Sequence, residues 1–211
     1  MSGLHGILEV PAIYRMSQWI FAPGAEMVLT RQMCRLLSEL PAQADLLDVG
    51  CGPESWLFRH GLKPTGLDIS ERYVAEWEKK GARAVVGSAD ALPFPEKSFG
   101  GIWSIGLLHH LSDETVRRML QECERVCRHE GGYVAILDAV LPRSKWRRPV
   151  AHAIRRMDRG RFMRTEQQLK MLLSPAYRWQ TQRLTYTLTG LELLVCVCRF
   201  DPPSVAAKSP P

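Results

Sequence analysis

Apolar residues recur along this chain in two rhythms. Across residues 25–40, Met27, Val28, Met33, Leu36, Leu37 and Leu40 fall near helical spacing, and Pro41 stops the run. Leu46-Leu47-Asp48-Val49 then forms a short, nearly continuous apolar run ending in Gly50-Cys51-Gly52, the pattern of a fully buried parallel strand. Residues 65–69 predict a second strand, and Ser70 is placed to N-cap a helix through Lys80. Residues 82–86 predict a third strand, and 98–105 a fourth, flanked by Pro93, Pro95 and Gly106. Ser112 opens a helix to about His129, with Thr115 as a second-choice cap. Gly131-Gly132 closes that helix, and residues 133–137 predict a fifth strand.

Strands alternating with helices imply an α/β fold with a parallel sheet. The ending differs. Residues 179–188 and 191–200 are two β-prone runs separated by Thr189-Gly190, which predicts an antiparallel hairpin. The stretch after Asp201 is rich in Pro, Ser and Ala and reads as a disordered tail, 201–211. No internal repeat or linker divides the rest, so residues 1–200 are expected to form one domain.

Composition changes this picture little. At 45% hydrophobic and 24% charged residues the chain is an ordinary globular one. No apolar run reaches the roughly 20 residues needed to span a bilayer. The N-terminus lacks the basic, apolar and small-residue sequence of a secretory leader, so the expected location is cytoplasmic. The six cysteines, 34, 51, 123, 127, 196 and 198, make no CxxC pair; reduced, mostly buried thiols are expected, and no metal site. The net charge of +6 is local: residues 143–164 carry nine Arg or Lys and one acid, +8 in all, which leaves the rest of the chain at −2.

The chemistry gathers at strand ends. Gly50 and Gly52 follow the first strand, where a ligand can approach the backbone because no side chain intervenes. A phosphate-binding loop of the dinucleotide type would carry a third glycine at position 55, which here is Ser55. Asp68 closes the second strand, 18 residues after Gly50, where an acid can accept hydrogen bonds from both hydroxyls of a ribose. A helix-preceding Asp that caps Glu71 or Arg72 is the alternative.

Four segments in one order carry a resemblance. They are residues 46–52, then Gly66-Leu67-Asp68-Ile69-Ser70, then 87–94 (Gly-Ser-Ala-Asp-Ala-Leu-Pro-Phe), then Ser98-Phe99 followed by Leu107-Leu108-His109-His110-Leu111. Together they resemble the cofactor motifs of class I S-adenosylmethionine-dependent methyltransferases of type 11, the small-molecule branch that includes ubiquinone and menaquinone methyltransferases. The resemblance covers about residues 44–140. It implies a Rossmann-like, seven-stranded, mostly parallel sheet with a C-terminal antiparallel hairpin and helices on both faces.

The resemblance also assigns roles. Asp48 and the Gly50-Cys51-Gly52 loop would face the methionine portion of S-adenosyl-L-methionine, Asp68 would hold its ribose, and Ile69 would pack on its adenine. Ser88 and Ala89 would lie at the adenine edge, where the branch usually carries Asp then Ala, with Asp90 as a compensating acid. Ser104 and Ile105 would reach the sulfonium. Gly100 stands where the family often has Asp, so a supporting hydrogen bond would be lost there. Tyr14, near Trp19 in an N-terminal helical cap (1–40), would approach the sulfonium, although an amphipathic helix anchored by aromatics explains both residues equally well. The basic segment falls where such enzymes insert a helical lid (143–173).

Methyl transfer is an in-line displacement, so the protein mainly aligns the nucleophile and shields the cation. A phenol, hydroxyl or acidic carbon must also lose a proton, and the His109-His110 pair supplies an imidazole suited to that, with His110 slightly preferred. Capping and packing of the next helix is the competing role. Trp146, Val150, Ile154, Met157 and Phe162 interleave with the basic charges. Such a segment suits an acidic substrate, a carrier-protein surface, a peripheral contact with anionic lipid, or a solvated face. The expected partner is a small-molecule methyl acceptor, and nucleic acid is disfavoured because the rest of the chain is acidic. A degenerate binding or regulatory protein, motivated by Ser88 and Gly100, and an RNA or protein methyltransferase are the alternatives.

Overall fold

A strand buried on both faces needs helices on both sides, and this chain supplies them. The computed structural model describes residues 24–43, 45–157 and 160–200. In chain order the elements are α1 (Ala25–Glu39), β1 (Leu46–Val49), β2 (Thr65–Asp68), α2 (Glu71–Lys79), β3 (Ala84–Val86), β4 (Gly101–Ile105), α3 (Asp113–Val126), β5 (Tyr133–Val140), α4 (Pro149–Met157), α5 (Glu166–Lys170), β6 (Trp179–Thr185) and β7 (Glu192–Arg199). Short 3-10 turns occupy Leu57–His60 and Leu108–His110.

The seven strands form one sheet in the order β3-β2-β1-β4-β5-β7-β6. β1 to β5 pair in parallel, β7 runs antiparallel between β5 and β6, and the predicted hairpin is therefore present. From β1 the chain steps one way to β2 and β3, then returns to lay β4 on the other side of β1. The sheet thus has its switch point between β1 and β4, where open α/β sheets bind ligands.

Two apolar cores lie on opposite faces. One joins Leu47, Val49, Ile102 and Ile136 to Val116, Met119, Leu120 and Cys123 of α3; the other joins Leu46, Trp103 and Tyr133 to Met33, Leu36 and Leu40. Five of the six cysteines are buried and all six are free thiols. Among the described residues no helix is long and apolar enough to cross a membrane, and no group of His, Cys, Asp or Glu could hold a metal.

Ser70 and Ser112 cap α2 and α3 as expected, accepting from Tyr73 N and Thr115 N. The second helix stops at Val126, short of His129. Residue 127 turns extended and bridges Phe99, with Phe99 N donating to Val126 O and Arg128 N to Phe99 O. β4 begins at Gly101 rather than 98 because residues 98–99 are used in that bridge. β5 extends to Val140, past the expected 137, because β7 pairs with it along its whole length.

Candidate active site

The glycine loop is bonded to the strand beside it. Gly50 N and Cys51 N both donate to Leu67 O, and Gly52 O accepts from the Trp77 indole at 2.9 Å. Gly50 has φ +71°, and a Cβ there would fall 2.7 Å from a methyl of Leu107. Gly52 has φ +58° and nothing within 4 Å of where its Cβ would be. One glycine therefore lets the loop turn under Leu107, and the other leaves open space in front of the backbone.

Asp68 completes the loop. Its Oδ2 accepts from Gly52 N at 3.0 Å and its Oδ1 from Ser70 N at 2.9 Å. The carboxylate thus serves a backbone role close to the capping alternative, and each oxygen keeps a further lone pair for a hydroxyl. Ile69, next in sequence, is 77% exposed, and Val86, which pairs with Asp68 across β2–β3, is 45% exposed. An open glycine backbone, an acid with spare acceptor capacity and an uncovered apolar platform suit the adenosine and methionine parts of S-adenosylmethionine.

Other expected contacts sit deeper. Asp48 is buried, and its carboxylate accepts from Ser55 Oγ at 2.5 Å while Ser55 Oγ accepts from Leu57 N. Burial and the charge of Asp68 outweigh the Ser55 bond and push Asp48 up to about 6. Asp48 and Ser55 hold the loop from below. The Cys51 thiol is also turned inward, so close to Gly66 that a Cβ there would lie 2.8 Å from its sulfur, and burial raises its pKa strongly. Only the Cys51 backbone belongs to the loop surface. Ser104 is buried too, with no hydrogen-bond partner for its hydroxyl among the described residues; Ile105 is half-buried.

Ser88 donates to Asp90 Oδ1 at 2.5 Å, and Asp90 also meets Arg118 at 3.2 Å. The Ser88 bond and Arg118 hold the Asp90 carboxyl below its ordinary value, so the pair presents one ionised carboxylate. Ser88 lies near Asp68, since Gly87 N donates to Asp68 O, and Ala89 is half-buried beside it. Gly100 lies elsewhere. It precedes the N-terminal end of β4, across the sheet from the loop, and a Cβ would meet the Gln43 side chain at 2.0 Å. The departure there removes nothing from the site. Tyr14 and Trp19 fall outside the described residues.

The histidine pair is resolved by a residue that the motif reading overlooked. Asp138, buried on β5, receives His109 Nδ1 on Oδ1 at 2.7 Å and Leu108 N on Oδ2 at 2.5 Å. A carboxylate oxygen at this distance suits a proton on Nδ1, which makes Nε2 the ring nitrogen able to accept one. The His109 side chain is 11% exposed, whereas His110 is exposed and lies against its ring at 4.2 Å between centroids. Of the two histidines, His109 is the one held by the sheet. The ring edge of His109 faces Gly106, where a Cβ would be 3.9 Å from its Cε1, so the imidazole borders the turn that ends β4.

The basic segment is partly internal. Arg164, 7% exposed, donates to Leu108 O, Leu111 O and Asp113, clamping the histidine turn from outside. Arg155 is buried against Tyr186 and Glu192 O. Gly160 packs on His109 so closely that a Cβ would lie 2.4 Å from Cδ2, and Phe162 N donates to His109 O. A separate hollow of about 610 Å³ is lined by Leu141, Arg143, Lys170, Met171 and Arg183 among others. Its cations are tied to Glu166, whose carboxyl Lys170, Arg143 and Arg183 draw down to about 2.

Residues 47–136 match the family model described as a methyltransferase domain. A tRNA (carboxymethyluridine(34)-5-O)-methyltransferase of Arabidopsis thaliana is 36% identical over 110 residues, 50% of this chain and 26% of that protein. A demethylmenaquinone methyltransferase of Thermotoga maritima is 31% identical over 138 residues, 63% of this chain and 59% of that protein. The chain thus spans less than two thirds of either relative. A Thermotoga maritima crystal structure described as a SAM-dependent methyltransferase, possible histamine N-methyltransferase, superposes with a TM-score of 0.68 over 94% of this chain and 100% of that one. At 18% identity, that likeness is one of fold.

Proposed function

We propose that this chain is a class I S-adenosylmethionine-dependent methyltransferase of type 11 and that it methylates an O, C or N nucleophile of a small molecule. The observation that carries the reading is the Asp138–His109 pair at the mouth of the β4 turn, on the same strand ends as the glycine loop. S-adenosylmethionine, when bound, supplies an electrophilic methyl on a sulfonium. Asp68 and the Gly50–Gly52 backbone would hold it, and Ile69 would cover its adenine. His109 Nε2 takes the proton that the nucleophile loses, and Asp138 stabilises the imidazolium so formed and fixes its orientation.

The acceptor class rests on the menaquinone-type relative, an enzyme named for a small quinone precursor. Five buried free thiols fit a reducing compartment, and we place the protein in the cytoplasm. A second reading, an RNA acceptor, draws on the tRNA methyltransferase relative and on the exposed part of the basic segment. Isothermal titration with S-adenosylmethionine is the first test. Binding is expected, and Asp68→Asn should weaken it about 10- to 100-fold by removing a charged acceptor. No heat at millimolar cofactor would sink the proposal. Labelled-methyl transfer to a metabolite panel and to unmodified tRNA then separates the two acceptor readings.

A further inference from the structure

The helix after β5 presents an outward face that the site does not use. Its first turn starts at Ser144, whose Oγ accepts from Arg147 N and whose carbonyl accepts from Arg148 N, so residues 144–148 run directly into α4. Ala151 packs inward against Ala25 and Leu191. The outward side of α4 carries Val150 and Ala153, and Trp146 stands on the turn before it. Trp146 is 84% exposed and Val150 57%. Leu188, 87% exposed, stands on the hairpin tip, which Arg148 fastens to the start of α4 through Gly190 O at 3.0 Å and Thr185 Oγ1 at 2.8 Å.

Cations surround these apolar side chains. Lys145, Arg147 and Arg156 are exposed, and among the described residues none of the three meets a carboxylate; Lys145 lies over the Trp146 ring at 5.4 Å. Elsewhere Arg35, Arg59, Arg118 and Arg128 pair with acids, while Arg31, Arg83 and Arg117 are exposed with no ion pair among the described residues. Uncompensated positive charge and a protruding indole therefore coincide at one place.

We infer that this surface docks the protein on an anionic lipid bilayer, Trp146, Val150 and Leu188 entering the headgroup region while Lys145, Arg147 and Arg156 meet lipid phosphates. An indole is amphipathic and settles at that depth, and each nearby cation adds attraction that salt screens. An RNA backbone would reward the cations but not Val150 and Leu188, which favours lipid. Gly160, three residues after the end of α4, packs on His109. The docking goes beyond the methyltransferase reading and does not depend on turnover.

The test uses the full chain with vesicles of phosphatidylcholine alone or of phosphatidylcholine with phosphatidylglycerol, sedimented at low and high salt. Pelleting is expected only with the anionic vesicles and should fall as salt rises. The double variant Lys145→Gln/Arg147→Gln should lower the partition coefficient about 25-fold, and Trp146→Ala roughly tenfold. Circular dichroism and unchanged cofactor titration show that the variants remain folded with the site intact, which separates failure here from failure of the proposed function. Equal pelleting with neutral vesicles, no pelleting, or variants that pellet like the parent would overturn the inference. So would retardation of a tRNA by this face without vesicle binding.

Discussion

Replacing Asp48 by Asn tests how the glycine loop is supported. Asp48 is buried, and its carboxyl is raised from 3.8 to about 6, first by burial, with the Ser55 bond opposing and Asp68 adding to the rise. A folded-state value above the unfolded one means that the neutral form is favoured on folding. Its contribution to stability is therefore fully present below the unfolded value and is lost as pH rises through about 6. At 1.36 kcal/mol per unit, the ionised carboxylate costs the folded protein about 3 kcal/mol near pH 7 and well under 1 kcal/mol near pH 4. Asn keeps an acceptor for Ser55 and cannot ionise. The constant packing cost of its amide shifts the whole curve but not its slope. Urea unfolding of wild type and Asp48→Asn across this range should show the stability difference moving toward the variant by about 2 kcal/mol as pH rises. Parallel curves would refute the reasoning, because they would mean that Asp48 is already solvated or differently partnered.

Two further outcomes follow from the site. His109→Gln and Asp138→Asn should each lower methyl-transfer kcat about 10²- to 10⁴-fold with cofactor affinity unchanged, while His110→Gln stays within a few-fold of the parent; equal losses at 109 and 110 would remove His109 from its role. Gly50→Ala combines a left-handed backbone with a methyl 2.7 Å from Leu107, so it should destabilise by about 2–4 kcal/mol in urea unfolding and abolish cofactor titration.

The strand–helix alternation was legible because five short apolar runs are punctuated by glycine, proline and capping serines, and each cap is found where its hydroxyl was expected. The glycine loop and Asp68 were legible for the same reason: strand-end chemistry is written in local sequence. Asp138 was not, because its role depends on a partner 29 residues away and its own strand reads only as Tyr-Val-Ala-Ile-Leu-Asp-Ala-Val. An acid inside such a run is the signal that could have found it, since a buried charge needs a partner. Arg155 and Arg164 misled in the opposite direction. In sequence they add to a basic stretch, and only tertiary contact shows that both are buried and occupied by carbonyls and side chains.

Arg164 also changes what the segment covering the site can do. Its guanidinium holds Leu108 O and Leu111 O on either side of the histidines, its own carbonyl accepts from Leu141 N, and Phe162 N is bonded to His109 O. Residues 162–164 are therefore fixed at both edges, to the histidine turn and to the end of β5. Swinging this stretch away would exchange these charge-assisted hydrogen bonds for bonds to water, at a cost of about 1.5–3 kcal/mol for each. His109 is thus held from the sheet by Asp138 and from outside by a strap that does not open readily. In its proposed role the imidazole is thus positioned before any acceptor arrives, which is the condition under which it contributes to rate rather than only to binding.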